Sequence, residues 1–299
     1  MSTNNNGMEI VEKKFSKKVV IVEEDQELAK ESKEECLMWL KKLLKDDLRL
    51  KHLKEDDSYL TRFLLAVDLD VDEAFKRIKL FYDTLETLPN WFPKHSLIDK
   101  RWVIETNCRT LLKEKDKEGR PIYIYKLGLI DPSKMDLMED LVALDDCYIE
   151  QMFLENPGIE QGLCVIIDAA NFPYKITKWA TPYNISCCLK RIYSMPVRDY
   201  RYHLVNSSIW ISLLIKIIWP FLPQYVKEQV KFHFNDYNSL YQHVDQNVLP
   251  EEYGGPLKIE PAERNKVFLS YNSKIMENFK LHRHQYLDNL KEEIVPSNN

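Results

Sequence analysis

The sequence is poor in the residues that build phosphate-binding loops and nucleophile turns. Only 7 of its 299 residues are glycine, and neither GxGxxG nor GxxxxGK[ST] occurs, so the usual nucleotide cradles are missing. The GxSxG and HExxH signatures of hydrolases are absent as well. The six cysteines form no CxxC pair and no cysteine–histidine cluster with zinc spacing. We therefore expect free thiols in a reducing cytosol, and neither a metal nor a cofactor.

The chain also lacks an excess of basic charge. It has 42 Lys and Arg against 47 Asp and Glu, a net charge of -5 and a pI near 5.9, which argues against a nucleic-acid partner. The polar N-terminus, MSTNNNGMEIVEKK, has no apolar core of the kind found in secretory signals. The hydrophobic share of 44% is enough for a real core. These features predict a cytoplasmic globular protein.

One stretch, SSIWISLLIKIIWPFLP at residues 207–223, is far more apolar than the rest. As a helix, its residues 209–222 rise about 21 Å, whereas the hydrocarbon core of a bilayer is about 30 Å thick. Pro220 also interrupts the helix near its end. The stretch is therefore too short to span a membrane.

The polar residues of this stretch, Ser208, Ser212 and Lys216, recur every four positions and share one narrow stripe. Most of the helix circumference is apolar, which is typical of a fully buried core helix. The alternative is a helix with an oily cavity on one side and a removable apolar surface on the other. In that case we expect Leu213 and Ile217 to act differently, one on cargo retention and the other on membrane transfer.

Hydrophobic spacing divides the chain into segments of different type. A flexible tail is predicted at 1–22 and a helical lobe of three helices at 23–90. Strands and helices then alternate, including an apolar run at 163–167 typical of a strand covered on both faces. This alternation predicts an α/β domain with a mixed sheet over 91–258. Residues 259–299 are predicted to form a C-terminal tail that is partly helical.

A helix is predicted from Met138 to Asn156, between the second and third strands. Its spacing turns Leu144, Tyr148 and Met152 inward, and it exposes three acidic side chains, namely Glu139, Asp145 and Glu150.

Two residues occupy positions where an active site could lie. Asp168 ends a predicted strand and His203 lies within another. No nucleophile signature accompanies them, so structural roles are favoured, with Asp168 bonding local backbone and His203 satisfied in the sheet. The sequence predicts a protein that is not an enzyme.

Several segments between Ser58 and Pro256 resemble the CRAL-TRIO lipid-binding family, in the family's order. They are YLTRFLLAVDLDVDEAFKRIKLF, DKEGRPIYIYKLG, VIIDAANF, MPVRDYRYHLVN, IKIIWPFLPQYVKEQVKFH and VLPEEYGGP. The most specific part is LPEEYGG together with the earlier PFL. Within the family, the chain is most similar to the branch of the alpha-tocopherol transfer protein and the cellular retinaldehyde-binding protein.

The resemblance implies an α/β cage that encloses one hydrophobic molecule under a helical lid at Ile209–Leu222, which meets the membrane during exchange. The ligand contacts that it implies are Tyr148, Met152, Leu163, Val165, Ile167, Phe172, Tyr174, Trp179, Cys188, Ile192, Met195, Val197, Tyr202, Ile211, Leu214, Ile215, Ile218 and Phe221. The head-group or membrane contacts are Arg198, Arg201, Lys216 and Lys227.

The chain departs from the tocopherol branch at a basic groove that takes a phosphoinositide head group there. Of the four basic positions of that groove, Arg198 matches, whereas Tyr200, Tyr225 and Gln229 occupy the others. A multiply charged head group needs several charge-assisted contacts. The sequence therefore predicts little effect of phosphoinositides.

Together these features predict a monomer that binds one small lipophile, such as a tocopherol, retinoid or carotenoid-like terpenoid. It would carry that lipophile between membranes with transient membrane contact. A phosphoinositide or phospholipid exchange or signalling module of the same fold is the alternative, and an enzyme acting on a bound lipid is a third. Cys187, Cys188, Tyr148 and Tyr174 suggest polar atoms in the cavity wall for a ligand hydroxyl or carbonyl.

Overall fold

The computed structural model describes residues 32–54, 56–156 and 162–294. The predicted tail at 1–22 lies outside these residues. The helices are α1 (Lys33–Asp46), α2 (Asp57–Leu65), α3 (Val71–Thr87), α4 (Arg101–Ile104), α5 (Ala143–Glu155), α6 (Pro182–Ser194), α7 (Ile209–Ile218), α8 (Gln224–Gln229), α9 (Tyr237–Tyr241), α10 (Pro261–Ser270), α11 (Asn272–Phe279) and α12 (Gln285–Ile294). The strands are β1 (Arg109–Lys115), β2 (Pro121–Lys126), β3 (Leu163–Asp168), β4 (Tyr200–Val205) and β5 (Val230–Phe234).

The first three helices each begin at a polar capping residue. Ser32 and Glu35 form a reciprocal capping box at the start of α1, which satisfies two backbone N–H groups that a helix start leaves unpaired. The Asp56 carboxylate accepts from the Tyr59 N–H at 3.1 Å, and Asp70 accepts from the Glu73 N–H at 2.9 Å. Each aspartate thus satisfies a backbone N–H in the first turn of its helix.

The sheet is mixed, with strand order β1-β2-β3-β4-β5. Strand β1 is antiparallel to β2, and the remaining neighbours are parallel. Side chains alternate between the two faces of a strand, so residues aligned in register share a face. Tyr125, Ile167 and Leu204 lie in register on what we call the front face. The predicted mixed α/β fold is confirmed.

The opposite, back face of the sheet is closed by close packing. Ile124 and Ile166 on this face are fully buried. They share one core cluster with Leu240 of α9 and with Leu249 and Tyr253 further along the chain. This part of the back face is therefore filled by side chains.

Helix α5 follows a π-helical turn at Leu137–Val142 and differs from its prediction. Asp145 and Glu150, predicted to be exposed, are buried. Asp145 accepts from Arg109 Nε and from the Tyr123 hydroxyl, both at 2.8 Å, and Glu150 accepts from Arg62 Nη1 at 2.9 Å. The prediction was wrong because a carboxylate can be buried when it is paired and hydrogen-bonded.

The three C-terminal helices pack against the rest of the protein. Phe268, Ile275 and Phe279 are buried in the same core cluster as the N-terminal helices. The Tyr82 hydroxyl of α3 donates to the His282 carbonyl oxygen at 2.7 Å. This region therefore helps to hold α3 in place.

Candidate lipophile-binding cavity

A cavity of about 970 Å³ lies between the front face of the sheet, α6 and α7. Small-molecule sites in proteins usually measure roughly 300–1,000 Å³, so this one is at the large end. The sheet contributes Ile167 from β3 and Leu204 from β4, while Phe232 of β5 forms one edge of the wall. Most of the lining is apolar, as a lipophile requires.

Helix α6 and the segment before it form a second wall. Pro182 and the Thr181 cap start α6, and the Thr181 hydroxyl accepts from the Asn184 N–H at 3.2 Å. The helix then presents Cys188 and Ile192 to the cavity. Burial raises the pKa of the Cys188 thiol to about 12, so this sulfur stays protonated and behaves as a weakly polar wall atom.

The cavity continues into a polar extension formed mainly by the β1–β2 turn and by β4 with the residue before it. It is lined by Asp116, Glu118, Arg120, Asp199, Arg201, His203, Lys231 and His243. Arg120 is the centre of this extension, because it bonds Asp116 through Nη1 at 2.8 Å, Asp199 through Nε at 3.3 Å, and also Glu118. The opposing charges largely neutralise one another, so the extension carries little net charge.

Helix α7, the predicted lid, has two apolar faces. Ile211 and Leu214 are 4% and 8% exposed and line the cavity, whereas Leu213 and Ile217 are 45% and 48% exposed on the outside. Leu213 and Ile217 thus lie on the same side, although one of them was expected to act on cargo retention. They are four positions apart and so lie on one side of a helix. The inward residues are Ile211, Leu214, Ile215 and Ile218.

Exposed apolar side chains continue beyond α7. The ring of Tyr174 lies 5.8 Å from that of Trp210, and Phe221 follows α7 in a 3-10 turn. We call the outer lid surface the set of Tyr174, Ile209, Trp210, Leu213, Ile217 and Phe221, all of which are exposed. Tyr174 and Phe221 were predicted as ligand contacts, but they lie on this surface and not at the cavity wall.

Five other predicted contacts are buried away from the cavity. They are Tyr148, Met152, Leu163, Val165 and Met195, which belong to the main core. Tyr148 stacks on Phe268 with 3.9 Å between ring centroids, and its hydroxyl lies 3.4 Å from the Arg109 carbonyl oxygen. Helix α5 fills this part of the front face, so these side chains have protein neighbours where a ligand was expected.

The remaining predicted contacts do lie at the cavity wall. They are Ile167, Phe172, Trp179, Cys188, Ile192, Val197, Tyr202, Ile211, Leu214, Ile215 and Ile218. The sequence reasoning missed Tyr125 and Tyr200, although strand alternation places them on the same face as Ile167 and Tyr202. It also missed Leu127, Ile130 and Leu137, which come from loops or turns without periodicity.

The predicted head-group residues already have partners or face outward. Arg198 Nη2 lies 2.5 Å from Asp68 Oδ1, and Arg201 Nη2 lies 3.0 Å from Asp199 Oδ2. Both arginines line the cavity. Lys216 is exposed on the outer side of α7, and Lys227 Nζ lies 6.0 Å from the Trp219 ring centroid.

Asp168 holds the turn that precedes α7. Its Oδ1 accepts from the Ala170 N–H at 2.9 Å and from Asn206 Nδ2 at 2.8 Å, and its Oδ2 accepts from the Tyr253 hydroxyl at 3.0 Å. Asn206 has a φ of 53°, a left-handed conformation that asparagine tolerates better than most residues. The carboxylate therefore holds the turn that leads into the helix over the cavity.

His203 lies on the back face, in contact with His233. Nδ1 of His203 and Nε2 of His233 are 2.9 Å apart. Burial and the neighbouring His233 lower the pKa of His203 to about 3, so the pair is neutral at physiological pH. Among the described residues, no group of His, Cys, Asp and Glu could hold a metal ion. Over the same residues, none of the helices is long and apolar enough to cross a membrane.

Comparison with known proteins places this fold in a family. The model of the CRAL/TRIO domain matches residues 106–255. Human Clavesin-2 is 27% identical over 209 residues, which cover 69% of this chain and 63% of that protein. Clavesin-1 of Xenopus laevis is 28% identical over 210 residues, covering 69% and 62%. The chain thus matches less than two thirds of the length of these relatives.

Among solved structures, the one titled "Crystal structure of Sfh5" has a TM-score of 0.51 and 13% identity, covering 86% of this chain and all of that one. At this identity the likeness concerns the fold. The predicted resemblance to the CRAL-TRIO family is confirmed, whereas the tocopherol and retinaldehyde branch stays a prediction. The family model covers half of the sequence, and the chain belongs to the CRAL/TRIO domain family.

Proposed function

We propose that this protein binds one small lipophile in the front-face cavity and transfers it between membranes. The observation that carries the proposal is a cavity of about 970 Å³ with a largely apolar wall, covered by a helix that is apolar on both faces. A tocopherol, a retinoid or a carotenoid-like terpenoid is the class of cargo that we propose.

The cavity offers a strong driving force for binding. Each methylene group removed from water contributes about 0.8 kcal/mol, so a lipophile of many carbons gains greatly from enclosure. The same enclosure prevents release into water. A carrier therefore needs a movable wall that opens at a membrane, where the cargo has an apolar destination.

Helix α7 suits that role. Exposed apolar patches commonly mark interaction sites, and an amphipathic helix inserts its apolar side into the boundary of head groups and acyl chains. Trp210, Leu213 and Ile217 would enter that boundary. Lys216, exposed on the same side, would extend its ammonium group to the lipid phosphates.

We place this activity in the cytoplasm, with transient membrane contact and a monomeric carrier. All six cysteines are free thiols, which suits a reducing compartment. We propose no catalytic step, since the carboxylate of Asp168 is engaged by Asn206 and Tyr253, and His203 is engaged by His233.

The alternative, a phosphoinositide or phospholipid exchange or signalling module, finds less support. Arg198, the one matched head-group residue, is paired with Asp68, and Arg201 is paired with Asp199. A phosphoinositide would have to displace these carboxylates to gain bidentate contacts.

A vesicle-transfer assay tests the proposal. Donor vesicles would carry fluorescent tocopherol, acceptor vesicles a quencher, and purified protein would be added at increasing concentration. We expect the transfer rate to rise in proportion to the protein concentration and equilibrium binding to saturate at one probe per chain. Transfer no faster than the protein-free rate, together with no saturable binding of tocopherol or retinol, would overturn the proposal.

A further inference from the structure

Three tyrosine side chains from two strands border the apolar cavity. Tyr125 comes from β2, and Tyr200 and Tyr202 come from β4. Their rings are held in place: those of Tyr200 and Tyr202 are stacked with 5.8 Å between centroids, and the Arg109 guanidinium lies 4.1 Å from the Tyr125 centroid. None of the three hydroxyls has a hydrogen-bond partner among the residues that the structure describes.

Unpartnered hydroxyls are unusual for this protein. The buried hydroxyls of Tyr82, Tyr123 and Tyr253 donate to a carbonyl or a carboxylate oxygen at 2.7–3.0 Å. Burying a polar group without a partner is unfavourable, and buried polar groups are nearly always hydrogen-bonded. Tyr200 is buried, Tyr125 and Tyr202 are half-buried, and all three border the cavity. Their hydroxyls therefore point to a partner that the cavity itself receives.

The three phenols are neutral. Burial raises the pKa of Tyr125, Tyr200 and Tyr202 well beyond that of a phenol in water. Tyr202 and Tyr200 also contribute to raising the pKa of Tyr125, as expected for phenols that face the same space. Each hydroxyl therefore offers one donor and two acceptor lone pairs, without charge.

The cations beside these phenols already have partners. Next to Tyr200, Arg77 Nη1 donates to the Val197 carbonyl oxygen at 3.1 Å and Arg191 is paired with Asp146. Arg109, the cation beside Tyr125, bonds Asp145 Oδ1 through Nε at 2.8 Å, so its charge is already compensated. A phosphate placed here would be buried without a counter-charge, which is far costlier than burying a hydroxyl or a carbonyl.

We propose that Tyr125, Tyr200 and Tyr202 form the polar subsite of the cavity and bind an uncharged oxygen group, an alcohol or a carbonyl, at one end of the lipophile. This inference rests on the proposed function and narrows its cargo to uncharged, oxygenated lipophiles. Of the polar wall predicted from the sequence, Cys188 does line the cavity, whereas Tyr148 bonds backbone and Tyr174 lies on the outer lid surface.

The test compares two probes that differ by one oxygen. Retinol and the hydrocarbon that lacks its hydroxyl would be titrated against the protein and against Tyr125→Phe and Tyr202→Phe, which keep each ring. We expect each substitution to weaken retinol binding about tenfold, the effect of one lost hydrogen bond to a buried partner. Hydrocarbon binding should change by less than about twofold, because no hydrogen bond is lost.

Tyr183→Phe is the matched control, because Tyr183 on α6 is 66% exposed and does not line the cavity. It should leave both affinities unchanged. Thermal unfolding of each variant shows whether the fold is kept, and the ratio of the two affinities measured on one preparation cancels any loss of folded protein.

Equal weakening of both probes, or no weakening of retinol, would overturn the tyrosine subsite while leaving lipophile binding intact. A fluorescent phosphatidylcholine that loses as much affinity as retinol would overturn the assignment to an uncharged group. If the unmodified protein binds neither retinol nor the hydrocarbon, the proposed function fails together with the subsite.

Discussion

The two faces of the central sheet are built by alternate residues of the same strands, yet they are packed differently. Ile124 and Ile166 on the back face are fully buried among apolar neighbours. Tyr125 and Ile167, one position further along each strand, border a cavity of about 970 Å³ on the front face. Protein interiors otherwise contain few voids larger than a water molecule. The back face thus holds the fold together, and the front face is kept open for a ligand.

The largest effect should come from adjacent substitutions on the two faces. Ile166→Ala removes a fully packed side chain, so we expect the free energy of unfolding to fall by roughly 2–5 kcal/mol. Ile167→Ala should lower it by about 1 kcal/mol, because part of that side chain already faces the cavity. Urea unfolding of the ligand-free protein measures both. Equal losses would mean that the two faces are packed alike.

Acid should lower the free energy of unfolding through two buried histidines on the back face. Burial first, and neighbouring histidines next, lower the pKa of His203 to about 3 and that of His233 to about 4 in the folded protein, against 6.5 for the free side chain. Other charged or titratable groups also act on the two pKa values. The pKa values are lowered by His243, Arg120, Arg201 and Lys231, whereas Asp236 raises the pKa of His233.

Because the unfolded chain takes up protons first, the stability that comes from keeping these histidines neutral is complete above pH 6.5. It is lost as the pH falls from 6.5 to about 3. His203 alone should cost the folded state on the order of 2 kcal/mol near pH 5. Urea midpoints measured across the pH range check this. In His203→Gln the urea midpoint should fall less steeply as the pH is lowered. The control His95→Gln changes an exposed residue and should leave the fall unchanged. An equally steep fall in His203→Gln would contradict the account.

Substitutions on the two faces of α7 should have smaller effects, one on the transfer rate and the other on binding. Leu213→Asp places a carboxylate on the outer lid surface, so we expect slower transfer to vesicles, by about tenfold, with unchanged equilibrium binding. Leu214→Asp places it against the cavity, where binding itself should weaken. Transfer and binding are measured separately with the same tocopherol probe. If both variants transfer normally, α7 is only part of the core.

The smallest effect concerns phosphoinositides. Vesicles with and without a phosphoinositide should accept cargo at rates within about twofold, because exposed and already paired arginines contribute little. Arg198→Ala should narrow that difference further. An acceleration of tenfold or more by the phosphoinositide, lost in Arg198→Ala, would instead favour the exchange-module alternative.

Some of this architecture followed from local pattern and some did not. The apolar run of β3 is a local signal, and this strand was predicted. The burial of Asp145 was not, because its partners Arg109 and Tyr123 lie on strands brought to it by the fold. For α7, so much of the circumference is apolar that spacing could not tell which side meets the cavity.

The residues of the cavity wall, too, could be predicted from local sequence pattern only in part. Strand alternation would have identified Tyr125 and Tyr200, but the position of Tyr174 depends on a 3-10 turn at Tyr174–Trp179, whose orientation has no sequence signal. The burial of Tyr148 depends on contact with Phe268, which belongs to a region that the sequence suggested to be a tail.

The central claim is that the open front face holds one oxygenated lipophile, and the ligand extracted from natively sourced protein tests it most directly. Organic extraction and mass spectrometry should yield one uncharged, oxygen-bearing lipophile in a stoichiometric amount. A well-folded preparation that extracts empty and takes up neither tocopherol nor retinol would contradict the claim.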